Sequence, residues 1–108
     1  MITMVNAHDH VGTGFPPEEG TKLAKALLEK ENVDWGHLTI DVSDLPSSLL
    51  ISAFFNGFLQ RVYDTNPGVF GQSRNITWKL AFDFQRKNVA RWMEVFKPQP
   101  AIATKHAR

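Results

Sequence analysis

Two segments of the chain alternate apolar and polar residues, and each is followed by a stretch with helical periodicity. In the first segment Leu38, Ile40 and Val42 alternate with polar residues. In the second, apolar residues occupy every other position from 76 to 82. A period of two is typical of strands with one buried face. Strands that alternate with helices along a chain favour an α/β fold, in which helices cover a sheet.

Apolar residues at helical spacing predict three helices, over about residues 17–31, 47–63 and 85–96. Residues 1–5 are predicted as a further strand, and residues 69–74 as a loop after the turn-forming Asn66-Pro67-Gly68. The predicted fold class is α/β: a small single-layer sheet of three to four strands with three helices, in βαβαβα order. Residues 1–98 would form one domain, and residues 99–108 a basic, flexible tail.

Composition narrows the class of protein. The chain of 108 residues contains no cysteine, which excludes disulfides and thiolate catalysis. No apolar run is long enough to span a membrane, and the first ten residues lack the pattern of a signal peptide, so we expect a cytoplasmic protein. The first sixty residues carry three basic and eight acidic side chains, and the remainder nine basic and three acidic. Such a split indicates either a two-faced surface or a basic binding patch.

The serine corner, residues 44–48 (DLPSS), joins the strand at 38–42 to the second predicted helix. Ser47 and Ser48 suit a helix N-cap, because a serine hydroxyl accepts a hydrogen bond from a free backbone N–H of the first turn. A phosphate at the same place would meet the positive end of the helix dipole, so a phosphorylation switch is the functional alternative. The corner lacks the G-x-S-x-G pattern of a nucleophile elbow, which argues against a catalytic serine.

The segment around this corner resembles the STAS-like domain family, small bacterial proteins related in fold to anti-sigma-factor antagonists. The resemblance rests on a strand that ends in IDVSDL, the corner PSS and the Phe-rich stretch LLISAFFNGFL, and it extends over about residues 12–96. It implies a bacterial or phage protein with a regulatory binding role. It also implies that a partner kinase of the histidine-kinase-like ATPase class phosphorylates Ser47 or Ser48, with Asp44 and Ser52 beside them in the partner-binding surface.

A basic patch in the second half of the chain supports an alternative function. Its members flank the last predicted strand or lie on the polar side of the last helix: Arg74, Lys79, Arg86, Lys87 and Arg91. Together they could bind nucleic acid or an acidic protein, and a solvated helix face is the simpler interpretation. The alternative hypothesis is therefore a nucleic-acid-associated regulator, whose binding would weaken with rising salt.

Three further groups of residues have side chains or spacings that occur in functional sites. His8, Asp9 and His10 carry metal-ligand chemistry, which leaves a small metal-dependent enzyme as a third hypothesis, but their spacing fits no standard motif. Gly12-Thr13-Gly14 lacks the remaining residues of a phosphate-binding loop and is predicted as a turn. Asp41 and Asp44 have no base beside them in sequence. We therefore assign no catalytic, cofactor-binding or metal-binding residue.

The interpretation from sequence is a non-enzymatic, regulatory protein-interaction module without a cofactor. Its partner would be a regulatory protein bound around the serine corner. The second predicted helix has more apolar residues than one sheet-facing stripe requires, with Leu49, Phe55 and Leu59 left over. Exposed, these three side chains would form an apolar patch, from which a homodimer is predicted.

Overall fold

A parallel sheet of three strands forms the centre of the protein, whose computed structural model describes residues 3–98. The strands are β1 (Thr3–Asn6), β2 (Leu38–Asp41) and β3 (Thr77–Lys79), in the spatial order β1-β2-β3. The alternation of buried Leu38 and Ile40 with more exposed neighbours confirms the strand prediction there. Part of the predicted first strand, residues 1 and 2, lies outside the described residues, as does the predicted tail at 99–108.

Four helices accompany the sheet: α1 (Pro16–Glu29), α2 (Ser52–Thr65), α3 (Pro67–Ser73) and α4 (Asp83–Val95). Short 3₁₀ turns precede α1 (Ala7–Asp9) and β2 (Trp35–His37). The α/β class is confirmed, but the predicted loop at residues 69–74 is wrong. The Asn66 side chain accepts a hydrogen bond from the Gly68 N–H, and Pro67 occupies the first helical position, so the turn signal starts a helix instead. The element order is accordingly β-α-β-α-α-β-α.

The core lies on one face of the sheet, and α2 is its central helix. Phe54, Phe55 and Phe58 of α2 are fully buried. The Phe55 ring lies 5.0 Å from Trp78 of β3, in an edge-to-face arrangement, and 5.7 Å from Trp92 of α4. Trp78 is buried, as the alternation at positions 76–82 predicts, whereas Trp92 is only half-buried and packs against the margin of the core. These rings join α2, β3 and α4 into one cluster.

The three side chains expected to form an exposed apolar patch, Leu49, Phe55 and Leu59, are all buried within the chain. That expectation was wrong because α2 is flanked by α1, α3 and α4 as well as by the sheet, so more than one of its faces is covered. The homodimer remains a prediction, but the apolar patch on which it was based does not exist at these three residues.

Helices α1 and α2 approach each other closely through two glycines. A Cβ atom added at Gly20 of α1 would lie 2.0 Å from the Phe54 carbonyl oxygen of α2. One added at Gly57 of α2 would lie 2.4 Å from the Pro17 carbonyl oxygen of α1. Both distances are far shorter than a van der Waals contact, so only glycine permits this backbone-to-backbone packing.

The second face of the sheet is polar and open to solvent. In the register of the three strands, Met4, Thr39 and Thr77 lie side by side, and the next row on that face is Asn6, Asp41 and Lys79. Thr39 and Asp41 of the central strand are half-buried, and the others are exposed. Parallel sheets are usually covered on both faces. Within residues 3–98 this one is covered by helices on one face only.

Candidate partner-binding surface

The connections that follow the three strands meet at one edge of the sheet, because the strands are parallel and their carboxyl ends point the same way. This edge is where open α/β sheets usually bind their ligands. The longest of these connections without a helix of its own runs from residue 42 to residue 51 and includes the serine corner.

Two turns shape the serine corner. The Leu45 N–H donates to the Val42 carbonyl at 3.1 Å, and the Leu49 N–H donates to the Pro46 carbonyl at 3.0 Å. Leu45, Leu49 and Leu50 are buried and fix the segment to the core. The polar residues between them, Asp44, Ser47 and Ser48, are exposed. The corner therefore presents its polar side chains to solvent on a backbone that buried leucines hold in place.

The predicted cap role of Ser47 and Ser48 is wrong. Helix α2 begins at Ser52, after the turn at 46–49, and its N-cap position is Ile51, whose side chain cannot cap. Ser52 is half-buried at the start of the helix. Ser47 instead accepts a hydrogen bond from the Gln85 side chain of α4 at 3.4 Å, and Gln85 in turn accepts one from the Phe82 N–H at 3.2 Å. This chain of contacts links the corner to the start of α4.

An exposed aromatic pair lies at that start of α4. Phe82 and Phe84 are 53% and 69% exposed, and their rings stack with centroids 5.5 Å apart and planes 18° from parallel. Phe15 and Ile51, at the starts of α1 and α2, are also exposed. Four of the six large apolar side chains exposed in residues 3–98 thus lie where helices begin at the carboxyl edge of the sheet. With the serine corner, they form what we term the carboxyl-end surface.

Asp41 anchors the corner from the end of β2. Its carboxylate accepts hydrogen bonds from the Ser43 hydroxyl and the Ser43 N–H, and it lies 3.7 Å from the Lys79 ammonium group of β3. The hydrogen bonds from Ser43 hold the pKa of Asp41 below its usual value, and Lys79 adds to the effect. This carboxylate stays ionised and shapes the turn, whereas Asp44 is exposed beside it. The two acids thus differ in environment, which the sequence spacing did not show.

The five basic residues lie on more than one surface. Arg74 donates to the backbone carbonyls of Glu94 and Phe96 and lies over the Phe70 ring, so it ties the end of α3 to the end of α4. Lys79 is on the open face of the sheet beside Asp41. Arg86 and Arg91 line different grooves on either side of α4, and Lys87 is exposed between them in sequence.

The loop before α1 surrounds a buried carboxylate. Glu19 is only 4% exposed, and it accepts hydrogen bonds from the N–H groups of Gly12 at 2.8 Å and Gly14 at 3.2 Å. Lys22 lies 3.1 Å away on the next turn of the helix. The Gly12 N–H above all, with Lys22 and Gly14, keeps the pKa of Glu19 below its usual value against the opposing effect of burial. The turn predicted at Gly12-Thr13-Gly14 therefore binds an anion supplied by the chain itself.

Between residues 3 and 98 the histidines lie in two separate turns. His8 and Asp9 are exposed in the 3₁₀ turn after β1, and His37 lies 3.1 Å from Asp34 in the turn before β2. In the part of the chain that the structure describes, no three acidic or histidine side chains are grouped as a metal site would require. Nor does any helix between residues 3 and 98 combine the length and apolar character that crossing a membrane requires.

Comparison with known protein families, with curated proteins and with solved structures finds no match to this chain. Between residues 3 and 98 the chain is an α/β domain with a three-stranded parallel sheet, helices on one face and exposed apolar side chains at the carboxyl edge.

Proposed function

We propose that this chain is a non-enzymatic module that binds a regulatory protein through its carboxyl-end surface. The observation that carries the proposal is the exposed Phe82–Phe84 pair beside the serine corner. Single exposed apolar residues are ordinary, but a stacked pair of exposed aromatic rings forms a continuous apolar area of the kind that marks interaction sites. Aromatic side chains are also the residues that most often contribute large parts of the binding free energy.

The serine corner gives this surface a means of regulation. Ser47 and Ser48 are exposed on a turn anchored by buried leucines, and Ser47 contacts Gln85 next to the aromatic pair. A phosphate on either serine would add about two negative charges next to the aromatic pair. A partner that buries Phe82 and Phe84 would then have to desolvate that charge, and it would bind less tightly. The STAS-like resemblance supports this role for the same serines, and it identifies a histidine-kinase-like ATPase as the partner to test.

The test places a photo-crosslinking side chain, p-benzoylphenylalanine, at position 84 of the full chain in its native cells. A matched variant carries the same group at Lys25, an exposed position in the middle of α1. We expect one protein to be crosslinked from position 84 and not from position 25. With that protein purified, Phe84→Ser should weaken binding by about tenfold or more, and Ser47→Asp or Ser48→Asp should also weaken it.

The proposal fails if both positions crosslink the same set of proteins, because the contact would then be unspecific. It also fails if Phe84→Ser leaves the affinity of the crosslinked protein unchanged. The phosphorylation switch fails on its own if neither aspartate variant alters binding and mass spectrometry of the native protein finds no phosphate.

The nucleic-acid alternative predicts a different result. Binding of DNA or RNA should fall steeply with rising salt and should weaken in both Arg86→Ala and Arg91→Ala. These arginines line grooves on either side of α4, so a nucleic acid would have to contact both sides of this helix. A titration with duplex and single-stranded DNA at two salt concentrations decides between the two functions.

A further inference from the structure

A groove of about 600 Å³ runs between β3 and α4, outside the carboxyl-end surface. The segment at residues 74–78 forms one wall and α4 forms the other. Its apolar lining includes Ile76 and Trp78 from the strand side and Val89 and Met93 from the helix. A volume of this size is within the range of sites that bind ligands.

The groove follows a strand edge with unpaired backbone groups. Within residues 3–98, β3 pairs with β2 alone and so has one free edge. The Lys79 carbonyl accepts a hydrogen bond from the Val42 N–H at 3.0 Å, so the backbone groups of Lys79 point toward β2. Because successive residues of a strand point their backbone groups in opposite directions, the N–H and C=O of Trp78 point to the free edge. A free edge of this kind is a template for another strand.

Basic side chains predominate in the charged part of the lining, which includes Arg74 and Arg86. Arg86 is mostly exposed and touches Asp83 only at 3.5 Å. Glu94 is the single acidic residue in the lining, against the two arginines. A segment that carries acidic side chains would therefore complement the charge of the groove.

We propose that this groove binds an extended, acidic peptide segment of a partner protein, which adds a fourth strand along β3. The peptide backbone would pair with the free edge at Trp78. Apolar side chains at alternate positions would enter the groove against Val89 and Met93, and an acidic side chain would pair with Arg86. Strand addition beside a helix is a recurring mode of peptide recognition. The stretch of α4 from Arg86 to Glu94 is ~12 Å long, which accommodates about four residues of extended peptide.

This proposal rests on the proposed role in protein binding, but it concerns a separate surface. Its test is a selection of random octapeptides displayed on phage against the immobilised full chain. We expect enrichment of sequences with apolar residues at every second position and at least one Asp or Glu. Addition of a selected peptide to the labelled protein should shift the NMR amide signals of residues 75–80 and 86–94 and leave those of α1 unshifted.

Three variants make the test specific. Ala90→Leu fills the groove, and Arg86→Glu reverses its charge, so each should weaken peptide binding by about tenfold or more. Lys87→Glu is the matched control, because it makes the same charge change on the neighbouring residue, which does not line the groove. It should change the affinity less than about twofold. Phe84→Ser should leave peptide binding unchanged, because Phe84 does not line the groove. The groove proposal and the carboxyl-end surface proposal can therefore fail independently.

Several results would overturn the proposal. One is a selection that enriches no peptide, or only peptides without acidic residues. Another is equal weakening by Lys87→Glu and Arg86→Glu. A third is sedimentation that shows a dimer which Ala90→Leu converts to a monomer, since a second copy of the chain would then occupy the groove. Thermal unfolding of Ala90→Leu, followed by circular dichroism, must show a folded protein for its loss of binding to count as support.

Discussion

The close contact between α1 and α2 gives a sharp prediction for Gly57→Ala. The added methyl group would lie 2.4 Å from the Pro17 carbonyl oxygen, whereas ordinary contacts begin at 3.4 Å. The two helices would therefore have to separate by about 1 Å, a gap that already forfeits a quarter to a half of the dispersion attraction between facing atoms. Overpacking of this kind costs about 1–3 kcal/mol.

Helix propensity acts in the opposite direction, since alanine in a helix is favoured over glycine by about 1 kcal/mol. The clash involves backbone on the other helix, so no side chain can rotate away from it. We therefore expect a steric cost in the upper part of that range, about 2–3 kcal/mol, and a net loss of about 1–2 kcal/mol in the free energy of unfolding once the gain in propensity is subtracted. Gly20→Ala should cost more, because its methyl group would lie 2.0 Å from the Phe54 carbonyl oxygen.

Gly71→Ala in α3 is the matched control. A Cβ atom added at Gly71 meets no atom within 4 Å, so only the gain in propensity remains. That variant should be more stable than the parent chain by about 0.5–1 kcal/mol. The double variant Gly20→Ala/Gly57→Ala should lose less than the sum of the two single losses, because one separation of the helices relieves both clashes.

Urea unfolding followed by circular dichroism and tryptophan fluorescence measures these differences, and an unchanged m-value shows that only stability has altered. If Gly57→Ala proves as stable as the parent chain, or if Gly71→Ala is destabilised by a similar amount, the steric reasoning is refuted.

Three more substitutions test other parts of the fold. Glu19→Gln should lower the free energy of unfolding at pH 7 by about 1–3 kcal/mol, because an amide cannot accept from every donor of the loop before α1. The folded-state pKa of Glu19 is lowered, so its stabilising effect is complete above the unfolded-state pKa and is lost as pH falls through the folded-state pKa. The loss caused by Glu19→Gln should therefore shrink on acidification, and equal losses at pH 7 and pH 3 would contradict this. Arg74→Lys should cost about 1–2 kcal/mol, since lysine cannot bridge the two carbonyls at the end of α4; chemical denaturation measures this, and an unchanged midpoint would show the bridge to be dispensable. Phe55→Ala should cost about 3–5 kcal/mol and reduce the near-ultraviolet circular dichroism of the neighbouring tryptophans, and a retained aromatic signal would argue against the ring cluster.

Local sequence patterns predicted the correct element where a segment carries only one pattern, either strand alternation or helical spacing. The alternation around Leu38 and Ile40 and the helical spacing from Leu23 to Leu27 both gave the correct element. The errors arose where a turn signal and a helix signal coincide. Pro67 both ends one helix and begins the next, and Pro46 begins a turn that delays α2 to Ser52.

The candidate surface was only partly accessible from sequence. The serine corner could be found, because it follows a strand and precedes a helical pattern. The exposure of Phe82 and Phe84 could not, because alternation assigned Phe82 to a strand that in fact ends at Lys79. The burial of Leu49, Phe55 and Leu59 also depends on where other helices pack around α2, and the spacing along one helix does not contain that information.

The short length of β3 makes local unfolding easier in this part of the fold than elsewhere. In the described sheet β3 has three residues and pairs with one strand only. By contrast, α1 and α2 pack with their backbones in close contact. Amide hydrogen exchange should therefore be faster in β3 and α4 than in the α1–α2 pair, with the C-terminal part opening as a unit while the rest stays folded. A strand bound along β3 would slow amide exchange in β3 and α4 more than in the α1–α2 pair. The exchange rate of this region would therefore indicate whether a partner is bound.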